Sequence, residues 1–182
     1  MPVMEFQPAN KAYQTVPYTG FRTFIKRRDA AGECYYEPFS ALTPISLPDP
    51  LRRNEGVRPS RRMSIGPNEL ELEETSAAHG LRTTVLYFTL PGEPFAGLVR
   101  QATVTNVGVA AVTLDLLDGL PMVIPFGVND RLLKDINRTA EAWMAVTNLE
   151  NEVPFYRVQA SVGDEAEIET VEAGNFYLAF AD

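Results

Sequence analysis

The residue types that most often carry catalysis or bind metals are scarce in this chain. It contains one histidine, His79, and one cysteine, Cys34. His79 lies in Ser-Ala-Ala-His-Gly-Leu-Arg, without a nucleophile-elbow sequence, and is predicted to be a loop histidine before Gly80. A structural zinc site needs four His or Cys ligands, and no Gly-rich segment fits a phosphate cradle. The sequence therefore predicts no metal, no cofactor and no catalytic residue in this chain.

Acidic residues are numerous enough for acid–base chemistry, with 24 Asp and Glu. Glycoside hydrolysis uses two carboxylates at a set separation, and nothing in the sequence pairs any two of them. Asp118 is the most distinctive, because it ends a strand-like segment beside Gly119 in apolar surroundings. A buried carboxylate needs hydrogen-bond donors. The backbone N–H groups of the following turn are expected to supply them, which favours a turn-capping role over a functional one.

A Pro- and Arg-rich segment over 43–63 is predicted to be a loop. Its arginines are Arg52, Arg53, Arg58, Arg61 and Arg62. Nucleic-acid sites usually interleave aromatic residues, which this cluster lacks, and the whole chain has a formal net charge of −8. Residues 1–62 carry a net charge of +4 and residues 63–182 a net charge of −12. The cluster is expected to pair with the acidic part, and nucleic-acid binding is not predicted.

Aromatic side chains could stack on a sugar ring. Trp143 is the only tryptophan, but it lies on the apolar stripe of a predicted helix, which favours core packing. Tyr156, Tyr35 and Tyr36 are alternative stacking surfaces. The choice between a buried and a displayed Trp143 stays open at this point.

Short strand-like segments recur at roughly ten-residue spacing, which indicates an antiparallel sandwich. They span 21–28, 33–42, 68–75, 81–90, 97–106, 110–118, 153–162, 165–172 and 175–180. Residues 29–32 and 106–109 are predicted hairpin turns, the second with Gly108 at positive φ. In 68–75, Leu70 and Leu72 are expected on one face and the four glutamates on the solvent face.

One segment has helical periodicity. Over 129–146, apolar residues recur at three- and four-residue steps, and Asn129 or Asp130 would be a suitable N-cap. The segment before it is Gly/Pro-rich and still apolar. It is expected to lie largely buried between a sandwich strand and the helix.

The predicted domain organisation is an N-terminal arm over 1–20 and a single β-sandwich domain over 21–182. The sequence has no secretory signal pattern and no run of about 18 apolar residues, so a cytoplasmic protein without a membrane span is expected. The last segment is strand-like up to Asp182, which is compatible with a natural terminus and at least equally with a boundary inside a longer protein.

A central block extends the interpretation: "LYFTLPGEPFAGLVRQATVTNVGVAAVTLDLLDGLPMVIPFGVND". A strand ends in Thr105-Asn106, a Val-x-Leu strand (112–114) runs into Leu-Asp-Gly-Leu (117–120), and a Pro-Phe-Gly-Val turn (125–128) follows. This block resembles the N-terminal β-super-sandwich domain of cellobiose phosphorylase-like carbohydrate-active enzymes. "FRTFIKRRD" and "NEVPFYRVQAS" are compatible with the resemblance, which is firmest over about 80–180.

The resemblance implies a mainly β, antiparallel two-sheet super-sandwich, galactose mutarotase-like, with one inserted helix near 130–146. It implies a non-catalytic module that supports a catalytic (α/α)6 barrel of the same polypeptide, the substrate cleft and a homodimer. The parent would be a glycoside phosphorylase or hydrolase. Candidate residues for carbohydrate contact or domain docking are Asp118, Phe126, Asn129, Arg131, Trp143 and Tyr156.

Two other functions remain open. One is a free-standing carbohydrate-binding β-sandwich, which would bind an oligosaccharide through an exposed aromatic platform. The other is a small mutarotase-like sugar enzyme, which is disfavoured because such enzymes rely on several histidines and this chain has one.

Overall fold

The chain is mainly β. The computed structural model describes residues 20–30, 32–40, 59–121, 123, 126, 142–159 and 171–181. Its strands are β1 (Arg22–Asp29), β2 (Gly32–Tyr36), β3 (Ser60–Ile65), β4 (Glu69–Ser76), β5 (Leu81–Thr89), β6 (Leu98–Asn106), β7 (Thr113–Gly119), β8 (Met144–Thr147), β9 (Phe155–Val158) and β10 (Asn175–Phe176). The described residues form no helix that could span a lipid bilayer.

The described residues fall into two compact units, one over 20–120 and the other from residue 121 onward. The first unit holds a three-stranded sheet of order β2-β1-β7 and a four-stranded sheet of order β3-β4-β5-β6. Every strand pair in both sheets is antiparallel. The predicted mainly β, antiparallel architecture is confirmed, and the first unit is sandwich-like. The single domain over 21–182 stays a prediction, and the arm predicted over 1–20 lies outside the described residues except for Gly20.

The predicted turn after β1 is confirmed. β1 and β2 pair with Asp29 opposite Gly32, so only two residues join the strands. Gly32 has φ 129°, a conformation that residues with a Cβ rarely adopt. This tight connection fixes the register that brings Tyr36 opposite Ile25.

The hairpin predicted at 106–109 is wrong. β6 pairs with β5, and β7 pairs with β1 in the other sheet, so this connection passes between the sheets. The Asn106 side chain accepts from Gly108 N–H at 3.0 Å and donates to the Ala110 carbonyl at 2.8 Å. Gly108 is not among the glycines at positive φ. The asparagine side chain therefore organises this turn.

The loop predicted over 43–63 is wrong at its C-terminal end, because residues 60–63 belong to β3. β3 pairs along β4 from Ser60 opposite Thr75 to Ile65 opposite Leu70. Arg62 lies within 3.6 Å of both Glu71 and Glu73. Cross-strand pairing and opposite charge thus place an arginine-rich segment in the sheet.

The best-buried apolar side chains of the first unit are Ile25 of β1 and Leu81 and Val85 of β5, each at most 1% exposed. Thr23, Thr83 and Ser76 are buried among them. These residues alternate along their strands, so one face of each sheet forms the interior.

The second unit contains a three-stranded antiparallel sheet of order β10-β9-β8. The helix predicted near 130–146 is wrong at its end, because Met144–Thr147 forms β8 and pairs with β9; residues 129–141 lie outside the described residues. A 3-10 turn over Leu149–Asn151 joins β8 to β9. The strand predicted over 175–180 is limited to Asn175–Phe176, and that predicted over 165–172 is described only at its last two residues, which are not in a strand.

Leu81→Ala is expected to lower the free energy of unfolding by about 2–5 kcal/mol, because Leu81 is fully buried and its truncation leaves a cavity. Leu117→Ala is the matched control, since Leu117 is 70% exposed and its loss should change stability by no more than about 0.5 kcal/mol. Urea unfolding of both variants measures the difference. Equal effects would contradict the assigned interior.

Candidate functional site

The first unit contains a pocket of about 250 Å³. It lies where the end of β2 and residues 37–40 meet β4 and the turn after it. Its lining residues are Tyr35, Tyr36, Glu37, Ser40, Pro59, Glu74, Ser76, Ala78 and His79. Most of these side chains are polar or aromatic, so the pocket combines hydrogen-bonding groups with ring surfaces.

Glu74 is the centre of the site and is 1% exposed. Its carboxylate accepts hydrogen bonds from Tyr36 Oη, from Phe39 N–H at 2.9 Å and from Arg61 Nε at 2.5 Å. These donors come from β2, from the segment after it and from β3. A buried carboxylate is tolerated because it is paired and hydrogen-bonded.

The prediction that all four glutamates of 68–75 face solvent is wrong for Glu74. Strand side chains alternate between faces, so Glu74 lies on the same face as Leu70 and Leu72. The consecutive pair Glu73-Glu74 contained the signal, because one of two adjacent strand residues must face inward. The shared charge of the four glutamates conceals this exception in the sequence.

Two hydrogen bonds lie next to each other at this site. The Glu74 carboxylate can only accept, so Tyr36 Oη donates to it. Ser76 Oγ lies 2.8 Å from His79 Nδ1. In a neutral imidazole one ring nitrogen donates and the other accepts, so either Ser76 or His79 can be the donor in this bond.

This arrangement shifts two pKa values in opposite directions. Burial, together with the hydrogen bond to Glu74 and its charge, raises the pKa of Tyr36 well above its usual value of 10. Burial and the charge of Arg27 lower the pKa of His79 below 6.5, although Glu74 opposes this shift. Both groups are therefore neutral at pH 7. The His79 ring stacks on the Tyr36 ring with centroids 4.3 Å apart and planes 21° apart.

Asp118 belongs to a second polar network, between the two sheets. Asp118 is on β7, and its pairing partner on β1 is Thr23. Its Oδ1 accepts from Thr23 Oγ1 at 2.5 Å and its Oδ2 from Arg100 Nη1. Arg100 also donates to Tyr87 Oη at 3.1 Å. The expectation that turn N–H groups would supply the donors is wrong, because a threonine hydroxyl and a guanidinium do so.

The same network shifts the pKa of Arg100, whose side chain is 6% exposed. Burial alone would lower its pKa, but the hydrogen bonds to Asp118 and Tyr87 outweigh burial and raise it. Its guanidinium also lies 5.3 Å from the Phe21 ring centroid. Arg100 therefore stays charged and joins β6 to β1 and β7.

Three other predicted site residues, Phe126, Trp143 and Tyr156, belong to the second unit. In the second unit, Phe126 N–H donates to Asn175 Oδ1 at 2.6 Å. Trp143 is half-buried and its carbonyl accepts from Gln159 N–H at 2.9 Å. Tyr156 of β9 lies between Val146 and Asn175.

Asn129 and Arg131 lie outside the described residues, as do Arg52, Arg53 and Arg58 of the arginine cluster. Among the described residues, no group of three His, Cys, Asp or Glu side chains could hold a metal ion.

Comparison with known proteins adds no relative: no family model matches the chain, and a search of the curated proteins finds no match.

Glu74→Gln is expected to lower the free energy of unfolding by about 3–5 kcal/mol, because it removes the buried charge that Arg61 pairs with. Glu71→Gln on the same strand is the control. Its carboxylate is 38% exposed and lies 3.6 Å from Arg62, so its loss should cost no more than about 1 kcal/mol. Denaturant unfolding at pH 7 measures the free energy of unfolding of both variants. Equal losses for the two glutamine substitutions would contradict the assigned network.

The free energy of unfolding should fall as the pH is lowered below about 6.5. In that range His79 binds a proton in the unfolded chain, whereas in the folded protein its lowered pKa delays protonation to a lower pH. His79→Gln should flatten the dependence of unfolding free energy on pH between 7 and 5. The chain has no other histidine, which makes the comparison specific. Parallel curves for both proteins would exclude this linkage.

Proposed function

We propose that this chain is a non-catalytic N-terminal β-super-sandwich module, galactose mutarotase-like, of a cellobiose phosphorylase-like glycoside phosphorylase or hydrolase. Its role would be to support the catalytic barrel and the rim of the substrate cleft. The antiparallel, sandwich-like first unit is compatible with this proposal, and so is the use of its buried charges in pairing strands and sheets.

One observation carries the proposal. Leu116 and Leu117 are consecutive on β7 and are 54% and 70% exposed. Successive strand residues point to opposite faces, so β7 displays a leucine on each. A strand that covers a core on one side and meets solvent on the other alternates apolar and polar residues, whereas one buried on both faces is apolar throughout.

β7 also occupies a position suited to a contact. It is an edge strand of the three-stranded sheet, and Asp118 anchors it to the sandwich through Thr23 and Arg100. Leu117 begins the Leu-Asp-Gly-Leu stretch (117–120) that contributes to the family resemblance, and Leu116 directly precedes it. A rigid strand with apolar side chains on both faces is a suitable docking element for another domain.

The proposal assigns partners accordingly. An (α/α)6 barrel of the same polypeptide would cover β7, and a second copy of the enzyme would complete a homodimer. Carbohydrate would reach the module at the cleft rim, and the protein would act in the cytoplasm.

Leu117→Asp tests this role when it is placed both in the 182-residue chain and in the polypeptide encoded by the natural reading frame. In the shorter chain the side chain is exposed, and a change within about 0.5 kcal/mol is expected. In the longer polypeptide the loss of a buried leucine should destabilise the module by about 1.5–3 kcal/mol. Hydrogen exchange of the β7 amides should slow in the longer polypeptide.

Val109→Asp is the control for added charge, since Val109 is fully exposed in the connection before β7. It should be neutral in both polypeptides. A reading frame that stops directly after Asp182 would refute the proposal. So would an equal effect of Leu117→Asp in both contexts.

A further inference from the structure

We propose that two copies of this chain pair through the strand β3, antiparallel and about a two-fold axis at Met63. β3 is an edge of the four-stranded sheet, and within the part of the chain that the structure describes its only neighbour in that sheet is β4. All six of its residues are exposed. The proposed function places the barrel contact at β7 and assigns no contact to β3, so the inference stands apart from it.

The free side of β3 presents backbone hydrogen-bonding groups at alternate residues. At the turn that joins β3 to β4, Gly66 N–H donates to the Glu69 carbonyl at 2.8 Å, so this pair is hydrogen-bonded and the neighbouring pair at Ile65 is not. The pattern alternates along an antiparallel strand. Arg61, Met63 and Ile65 therefore direct their N–H and C=O groups away from β4, where another strand can pair with them.

The same residues of β3 carry exposed apolar side chains. Met63 and Ile65 are 62% and 74% exposed, although their partners on β4, Leu72 and Leu70, are half-buried. These four side chains lie on the same face of the sheet as Glu74. The apolar strip of that face thus continues to the edge of the sheet and ends there uncovered, which is typical of a strand that pairs with another chain.

Charged side chains often protect an edge strand from pairing, but the two arginines of β3 are held on their own sheet. Arg61 Nε lies 2.5 Å from a carboxylate oxygen of Glu74, and Arg62 lies within 3.6 Å of both Glu71 and Glu73. β3 contains no other charged residue. The charges of the strand are therefore compensated within one copy, and they do not oppose the approach of a second.

The order of residues along β3 makes the strand complementary to itself. A two-fold axis at Met63 places this residue opposite its own copy, Arg61 opposite Ile65, and Arg62 opposite Ser64. In this register the outward-facing residues form the hydrogen-bonded pairs, no arginine lies opposite an arginine, and the apolar side chains of both copies adjoin. An axis at Arg62 would instead place like charges opposite each other, which is destabilising.

Two prolines limit the length of the ladder. Pro59 and Pro67 lie two residues beyond Arg61 and Ile65, and a proline has no N–H to donate. Pairing is therefore confined to residues 61–65. An interface of this length lies at the low end of the size range of protein–protein contacts, so the dimer is expected to form reversibly.

Sedimentation equilibrium of the 182-residue chain tests the pairing. Over about 1–300 µM, the mass should rise from 20.2 kDa towards twice that value, as a small reversible interface implies. Met63→Lys places two like charges at the axis and should raise the dissociation constant at least tenfold. Val109→Lys adds the same charge at a fully exposed site away from β3 and should leave it unchanged. A chain that stays monomeric over this range would overturn the proposal, as would equal dissociation constants for Met63→Lys and the unmodified chain.

Cross-linking tests the register independently. In a Cys34→Ser background, Met63→Cys should give a disulfide-linked dimer with oxidised glutathione, because the axis brings the two Cα atoms to about 5.5 Å, within the range of a disulfide. Ser60→Cys in the same background is the control, since the register separates its two copies by about 20 Å. Equal cross-linking of the two variants would overturn the proposed register, and with it the self-complementary pairing of β3.

Discussion

The first unit depends on one buried carboxylate. Glu74 is almost fully desolvated, and an unpaired charge in that position would be prohibitively costly. Its compensation requires Arg61 from one neighbouring strand and Tyr36 with Phe39 from the opposite sheet. The need of this one carboxylate for hydrogen bonds therefore holds three elements to β4: the edge strand β3, the end of β2 and the segment after β2. The shape of the pocket follows from the same contacts.

A second polar network, around Asp118, also joins the two sheets of the first unit. The two networks differ in the polar atoms that they leave without a hydrogen bond. Arg100, Thr23 and Asp118 satisfy one another across the sheet interface. Glu74 and its donors likewise satisfy one another, but the ring of Tyr36 also stacks on His79, whose Nε2 makes no hydrogen bond within the described residues. The Asp118 network therefore joins sheets, whereas the Glu74 network joins sheets and also borders a pocket.

The sequence predicted those features that local patterns determine. β5 and β6 were identified by their β-branched and aromatic residues, and the Asp29–Gly32 turn by its glycine. The partner of β7 could not be predicted, because β1 lies far away in sequence and the nearby turn suggested a local hairpin. Strand β3 was missed because its arginines are stable in a sheet only opposite the glutamates of β4. The inward position of Glu74 is concealed by its charge and follows only from strand alternation. The pocket cannot be predicted from local patterns because it joins separate parts of the chain.

The hydrogen-bond network of Glu74 also has an evolutionary consequence. Exchanging Glu74 for an apolar residue would strand the charge of Arg61 and the hydroxyl of Tyr36, and replacing Tyr36 with phenylalanine would deprive Glu74 of a donor. A single substitution at one of these positions thus gives a poorly folded variant, whereas a joint replacement by apolar residues of similar volume need not. These positions are therefore expected to be inherited and lost as a block, so that a homologous sequence would retain either the whole set or none of it.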